Sequence, residues 1–339
     1  MSKNELFAQF CVYGEGVGAV TLALTAAQHG ADTVLILHGE PEASFADWDT
    51  VENERNLRVL YGTAEDLHME DCRILSVTAA ENEVNAQAFA QCRSGDFLGA
   101  VALPDMDTLS EQLLPEREEY ARLISCFTDG EGTLYGVLCD CVCDPAVVNL
   151  YRADSADTEL AKAVGTAAAI GVKYGILPHI VFADHMEELQ QTLLYDGAFL
   201  PHIRRTVSEE ARTAELSCDD AVSGDILNLR TGIDTNSPIY GEGDQGFTMA
   251  AGATVEYHMD EAVDVTRARI VFDADGDALA KVYALEIEAD GAWEGILFEN
   301  ENRRRLVTAA ICRPITGIRL TVMETCGAQN VHIFAFDFE

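Results

Sequence analysis

Basic side chains are scarce in this sequence of 339 residues, which has 22 lysines and arginines but 58 aspartates and glutamates. The resulting formal net charge of −36 creates a field that repels nucleic acid and anionic lipid. We therefore expect neither a nucleic acid nor a membrane as a partner. The acids are spread along the chain rather than collected in a tail, which is typical of a solvated surface that keeps a protein soluble.

Long apolar runs are also missing, and none approaches the roughly 20 residues that span a bilayer. The first residues lack a basic stretch followed by an apolar one, so we expect no signal peptide and a cytoplasmic location. The ten cysteines are then expected as free thiols. Cys139, Cys141 and Cys143 alternate as on one face of a strand, but no CxxC pair accompanies them. Buried free cysteines are favoured over a metal site, and no metal is predicted.

The N-terminal segment has the order of a nucleotide-binding unit. Apolar residues from Leu6 to Tyr13 predict a strand, and a glycine-rich turn follows at residues 14–19. Residues 20–29 then predict a helix, and residues 33–37 a second apolar strand. A strand, a glycine turn, a helix and a strand within about 30 residues form the opening unit of a dinucleotide-binding fold.

The glycine turn has its own chemistry. The first glycine permits the tight turn, the second lets the backbone approach a pyrophosphate, and the third position stays small so that the helix packs on the strand. These positions are Gly14, Gly16 and Ala19. His38 follows the second strand where a ribose-binding acid is expected, and Glu15 places a negative charge inside the turn. Two readings stay open: a bound cofactor, or a fold kept for its architecture after the cofactor was lost.

The character of the chain changes after about Ser217. Before it, residues 157–174 and 183–195 predict two helices; after it, short apolar or alternating segments are separated by turn residues. The acidic stretch Ser208 to Asp220 is predicted as the linker. The predicted fold is therefore a Rossmann-like FAD/NAD(P)-binding α/β domain at residues 1–216, followed by an all-β, jelly-roll-like sandwich at residues 217–339.

Four separate segments together resemble one family, the FAD-dependent oxidoreductases that carry a C-terminal β-domain. The segments are the N-terminal unit, residues 164–175, residues 188–201, and the β-domain motifs at 228–234, 271–273 and 302–307. The central region that family members carry is shortened here. The resemblance implies an FAD site formed by the glycine turn together with Gly165 and Thr166, which match the segment beside the flavin. For these two residues, close helix packing is the alternative.

Three functions are compatible with these observations. The first is an FAD-dependent oxidoreductase that removes hydride from an alcohol or sugar-like small molecule, although no catalytic residue is predicted. The second is a pseudoenzyme that pairs with a complete homologue. The third is a module whose β-domain binds carbohydrate or protein, with Trp293, Tyr240 and Phe247 as candidate sugar-stacking aromatics. Because a shortened α/β domain leaves sheet edges uncovered, we expect a homo-oligomer or a complex with a longer oxidoreductase homologue.

Overall fold

The computed structural model describes residues 8–14, 16–37, 48–61, 98–103, 120–128, 134–143, 150–154, 157–274 and 276–339. The chain divides into two compact units, Met1–Pro201 and His202–Glu339. The boundary predicted from the sequence lies after residue 216. The difference arises because the segment just before that residue folds as part of the second unit.

The first unit contains a parallel sheet with helices. Its strands are β1 (Phe10–Gly14), β2 (Thr33–Leu37), β3 (Leu57–Tyr61), β4 (Leu98–Leu103), β5 (Leu123–Thr128), β6 (Leu134–Leu138) and β7 (Leu150–Asp154). Its helices are α1 (Gly16–Gln28), α2 (Trp48–Asn53), α3 (Thr158–Tyr174), α4 (Pro178–Asp184) and α5 (Met186–Tyr195). Five strands form the parallel sheet in the order β3-β2-β1-β4-β7, and β5 pairs with β6 in an antiparallel ribbon.

Local sequence explains the main elements of this unit. Both β1 and β2 are buried along their whole length, which suits the continuous apolar runs of a parallel sheet. The predicted helix at 157–174 is confirmed as α3: the side chain of Asp157 accepts hydrogen bonds from two backbone amides at its start, and Gly175 ends it at a φ of 66°. Within the described residues no single helix is long and apolar enough to cross a bilayer. Helices α3 and α4 would reach that length and apolar character only if taken together, and they are bent by 91° where they meet.

The second unit is built almost entirely from antiparallel strands. They are β8 (Glu215–Cys218), β9 (Ala221–Gly224), β10 (Phe247–Ala250), β11 (Thr254–Phe272), β12 (Ala280–Ala289), β13 (Ala292–Glu299), β14 (Leu306–Thr325) and β15 (Asn330–Phe338), with one short helix, α6 (Glu209–Thr213). The predicted β-sandwich is confirmed. The predicted linker is wrong, because Ser208 caps α6 and β8 pairs with β11.

Two long strands, β11 and β14, pair with each other over most of their length. Their register shifts between His258 and Val263 and again between Val265 and Arg267, and such irregularities bend a strand. Before the shifts, β11 lies between β14 and β8, and the sheet continues through β12 to β13. After them, β11 lies between β14 and β15, and the sheet continues through β10 to β9. The same two strands thus contribute to both halves of the unit.

The core of this unit follows from alternation along the strands. In β12, Tyr283, Leu285 and Ile287 are buried in the hydrophobic core, while Glu286 and Glu288, which alternate with the buried positions, are only half-buried. Because successive side chains of a strand point to opposite faces, the carboxylates lie on the face away from the core. That outer face carries the site described below.

Candidate functional site

The predicted glycine turn lies at the end of β1. Gly14 is the last residue of that strand, and Gly16 begins α1 with a φ of 79°, a conformation that favours glycine. Ala19 is fully buried in α1. Glu15 and His38, the two departures from the nucleotide-binding pattern, lie outside the described residues.

Gly165 and Thr166 have a clear packing role on α3. A Cβ on Gly165 would lie 2.6 Å from the backbone oxygen of Leu22 and 2.9 Å from the Cβ of Thr25, so the absence of a side chain lets α3 lie directly against α1. Thr166 is 1% exposed, and its hydroxyl donates to the backbone oxygen of Lys162 at 2.9 Å. Helix packing alone accounts for both residues, and their cofactor role stays a prediction.

The three clustered cysteines do not share a strand face. Cys139 and Cys141 lie in a 3-10 turn, Cys139–Val142, that directly follows β6, and Cys143 comes immediately after it. The expected alternation is therefore wrong, because the chain leaves the extended conformation after Leu138. Among the described residues, no group of three or more histidine, cysteine or acidic side chains is arranged to hold a metal ion.

The three candidate sugar-stacking aromatics lie in different surroundings. Phe247 is 2% exposed and belongs to the core. The Tyr240 hydroxyl donates to the backbone oxygen of Ile203 at 3.1 Å, and the Arg204 guanidinium lies 6.0 Å from the ring centroid. Only Trp293, on β13, lies on the outer face of the sheet. The predicted three-residue platform is therefore not formed, and one of its members remains.

Cross-strand register brings polar residues to Trp293. Trp293 is paired with Glu288, Glu288 with Gly317, and Gly317 with His258, in one row across β13, β12, β14 and β11. The neighbouring row contains Gly295, Glu286, Arg319 and Glu256. We call these eight residues the Trp293 face.

The indole of Trp293 lies across this face. A Cβ on Gly317 would be 3.0 Å from the Trp293 Cη2 atom, so the ring extends over β12 as far as β14. The Arg319 guanidinium carbon lies 4.2 Å from the ring centroid, a cation–π contact, and its Nε donates to Glu286 at 2.7 Å. A Cβ on Gly295 would meet no atom within 4 Å. The ring is therefore held in place beside open space.

Glu288 differs from Glu286 in its partners. The Thr316 hydroxyl donates to its carboxylate at 3.2 Å, and the Nδ1 atom of the exposed His258 lies 3.9 Å away. Among the described residues, no lysine or arginine forms an ion pair with Glu288, whose side chain is 23% exposed. A carboxylate with spare hydrogen-bonding capacity thus lies directly beside the indole.

A second polar cluster surrounds His332 on β15. Its Nδ1 atom lies 3.1 Å from Asp273, and its Nε2 atom lies 2.9 Å from Asp244. Both contacts are hydrogen bonds only when the ring carries both protons. Burial acts to raise the pKa of Asp244, but the Gly246 amide and the His332 ring outweigh it and hold that pKa below its ordinary value. This cluster fastens the loop before β10 to the loop after β11.

An open crevice of about 660 Å³ lies beside β8 and β9. It is lined by Leu216, Ser217, Cys218, Ala221, Gly224, Asp225, Ile226 and Phe247. Burial raises the pKa of the Cys218 thiol, and the neighbouring carboxylate of Asp219 adds to this effect. The residues that line the crevice include no exposed aromatic ring and few polar groups. The crevice is therefore a weaker candidate for a binding site than the Trp293 face.

No protein-family model and no curated protein matches this chain. Solved structures do match part of it. Chitosan-binding module 1 of a chitosanase/glucanase from Paenibacillus sp. IK-5 is 11% identical over 39% of this chain and 98% of its own, with a TM-score of 0.33. The family 32 carbohydrate-binding module of Streptococcus pneumoniae EndoD is 17% identical over 37% and 94%, with a TM-score of 0.30.

A third match is the family 32 module of C. perfringens NanJ, solved with galactose, at 13% identity over 38% of this chain and 94% of its own, with a TM-score of 0.31. The predicted membership of the FAD-dependent oxidoreductases is corrected by these comparisons: no family model supports it, and the three structures named here are carbohydrate-binding modules. A Rossmann-like FAD domain is likewise unsupported. The physical reason is that a glycine turn in a parallel sheet reflects architecture, which many functions share.

The Trp293 face also contains residues that were not predicted from the sequence, namely Glu286, Glu288, Gly317, Arg319 and His258. Their signal was present as polar positions alternating with apolar ones in β11, β12 and β14. Alternation shows which residues share a face of one strand, but it does not show which strands lie side by side.

Proposed function

We propose that the second unit binds carbohydrate at the Trp293 face. The observation that carries this proposal is the position of Trp293, whose indole lies across the sheet beside Glu288 and Arg319. Sugar recognition needs an apolar surface for the C–H face of the ring and polar groups for its hydroxyls. The Trp293 face offers both within neighbouring strands.

The polar groups suit hydroxyl recognition. A carboxylate accepts hydrogen bonds from sugar hydroxyls, and a guanidinium donates to their oxygens in a fixed geometry. Arg319 is held by Glu286 and by the indole, so little conformational entropy is lost when it binds. Because Gly295 and Gly317 lack side chains, a flat ring can approach the backbone of the sheet at these two positions.

Surface aromatics are more often packed than functional, so the surroundings of Trp293 matter. Its ring is half-buried and lies on the sheet face opposite to the hydrophobic core. The neighbouring Phe298, on the same strand, is 63% exposed. An indole and a phenyl ring, both reached by solvent, therefore lie on one edge strand and offer two separate apolar surfaces to a glycan chain.

The test uses the full chain and the fact that the sequence contains two tryptophans. In a Trp48→Phe variant, Trp293 is the only tryptophan, so its fluorescence reports contact at the face directly. We expect neutral β-linked oligosaccharides to shift and saturate this emission. In the otherwise wild-type chain, calorimetry should show that Trp293→Ala weakens binding about tenfold or more, because stacking on aromatic rings contributes on the order of 1 kcal/mol or more.

Trp48→Ala is the matched control, since it removes the other indole and should leave the affinity unchanged. A fluorescence titration that stays flat with every oligosaccharide, or equal affinities for Trp293→Ala and the wild type, would refute carbohydrate binding at this face. Far-UV circular dichroism of each variant shows whether the fold is intact before its affinity is interpreted.

A further inference from the structure

The Trp293 face has an excess of negative charge. It carries the carboxylates of Glu256, Glu286 and Glu288 but only one guanidinium, that of Arg319. Arg319 is paired with Glu286 at 2.7 Å, and Glu256 adds to the negative potential around it. The cation of the face is therefore already engaged by a carboxylate.

Among the described residues, Glu288 is the carboxylate of the Trp293 face that lies beside the indole and forms no ion pair with a lysine or arginine. Its nearest basic group among the described residues is the His258 ring at 3.9 Å, and that ring is 53% exposed. The Glu288 side chain is only 23% exposed, so its charge is screened by water less than a fully exposed one. A ligand that brings a positive charge to this position supplies the missing partner.

A negatively charged sugar is disfavoured at the same place. A uronic acid or a sulfated sugar stacked on Trp293 would bring an anion next to Glu288, within a chain whose net charge is −36. A protonated amine is attracted by the carboxylate, while the Arg319 guanidinium already lies over the indole ring. The charge of the face thus selects among sugars of the same shape.

We propose that the ligand of the Trp293 face is an amino sugar whose protonated amine pairs with Glu288. This inference rests on the carbohydrate binding proposed above. Trp293 and Glu288 are directly opposite each other on neighbouring strands, which places their Cβ atoms about 5 Å apart. A pyranose stacked on the indole can therefore direct a ring substituent to the carboxylate.

The experiment compares three β-1,4-linked hexamers of equal length: glucosamine, N-acetylglucosamine and glucose. Binding to the full chain is measured at pH 6 by calorimetry, at low and at physiological salt. We expect the glucosamine hexamer to bind at least tenfold more tightly than the other two. Glu288→Gln should reduce the preference for the glucosamine hexamer over the glucose hexamer about three- to tenfold, in the range of a partly screened charge-assisted hydrogen bond.

Glu209→Gln is the charge-matched control, because Glu209 is exposed on α6 and lies outside the face. Equal losses in Glu209→Gln and Glu288→Gln would mean that overall charge attracts the amine, which overturns the pairing with Glu288. Equal affinities for all three hexamers would also overturn the amino-sugar inference, while carbohydrate binding itself would stand. If no hexamer binds and the Trp293 emission does not respond, the proposed function fails together with the inference.

Discussion

Gly232 is the position in the second unit where an added methyl group meets the backbone most closely. A Cβ built there would lie 2.0 Å from the backbone oxygen of Arg205, and the glycine itself has a φ of 76°. The Arg205 amide donates to the Gly232 oxygen at 3.1 Å. We expect Gly232→Ala to destabilise this unit strongly, for two additive reasons.

The first reason is conformational, since an L-residue in the left-handed region costs about 1–2 kcal/mol. The second is steric, since overpacking against atoms that cannot rotate away costs about 1–3 kcal/mol. Gly291 separates the two contributions, because its φ is 77° but its Cβ would meet no atom within 4 Å. Gly291→Ala should therefore lose only the conformational part, and Gly232→Ala about 1–3 kcal/mol more.

The assay is urea unfolding of the full chain in the Trp48→Phe background, where the fluorescence of Trp293 reports the second unit alone. Linear extrapolation of both variants gives the difference in free energy of unfolding. The entropy that alanine removes from the unfolded chain is about the same at both positions and cancels in the comparison. If both variants lose the same free energy, the close approach of Gly232 to Arg205 contributes nothing, and the reasoning is refuted.

Three further predictions concern buried or titrating groups. Arg205→Met should destabilise the second unit by about 3–5 kcal/mol, because it leaves the 3% exposed Asp337 without its ion-pair partner; adding Asp337→Asn should restore part of the loss in the same urea assay. Burial raises the pKa of Cys126 to about 12, so at pH 8 iodoacetamide should modify the exposed Cys312 well before Cys126, as peptide mass spectrometry would show. Folding lowers the pKa of Asp244. The contribution of its ionised carboxylate to the free energy of unfolding should therefore be complete above the ordinary aspartate pKa of about 4 and be lost as the pH falls through the lower pKa of the folded state. Urea unfolding as a function of pH should show a smaller loss of stability in Asp244→Asn.

Much of the secondary structure was readable because it depends on local patterns. The continuous apolar runs of β1 and β2, the capping Asp157 and the terminal Gly175 of α3 are each explained by nearest neighbours in the chain. The alternation in β12 likewise predicted a half-buried strand and, with its neighbours, a β-sandwich. Errors came where a tertiary contact overrides local composition, as in the acidic segment after Ser208, which is folded against β11 instead of serving as a linker.

The prediction of a cofactor site shows the same limit. The small residues Gly165 and Thr166 fit two explanations in sequence, a flavin contact or a close helix contact. The backbone of Leu22, which lies 143 positions earlier in the chain (165 − 22), comes within 2.6 Å of where a Gly165 Cβ would be. Only the packing of α3 on α1 makes that contact visible, and it accounts for the glycine without a ligand.

By itself the sequence determined the charge of the protein, the change from α/β to β character and the inner and outer faces of each strand, because all of these depend on composition or on a period of two residues. Which strands are neighbours, and in which register, was decided by the tertiary structure alone. Trp293, Glu288, Gly317 and His258 come from four strands and are separated by as many as 59 positions (317 − 258). A shift of one residue in any of these pairings would move a side chain to the opposite face and disperse the site, which is why no local pattern could have predicted it.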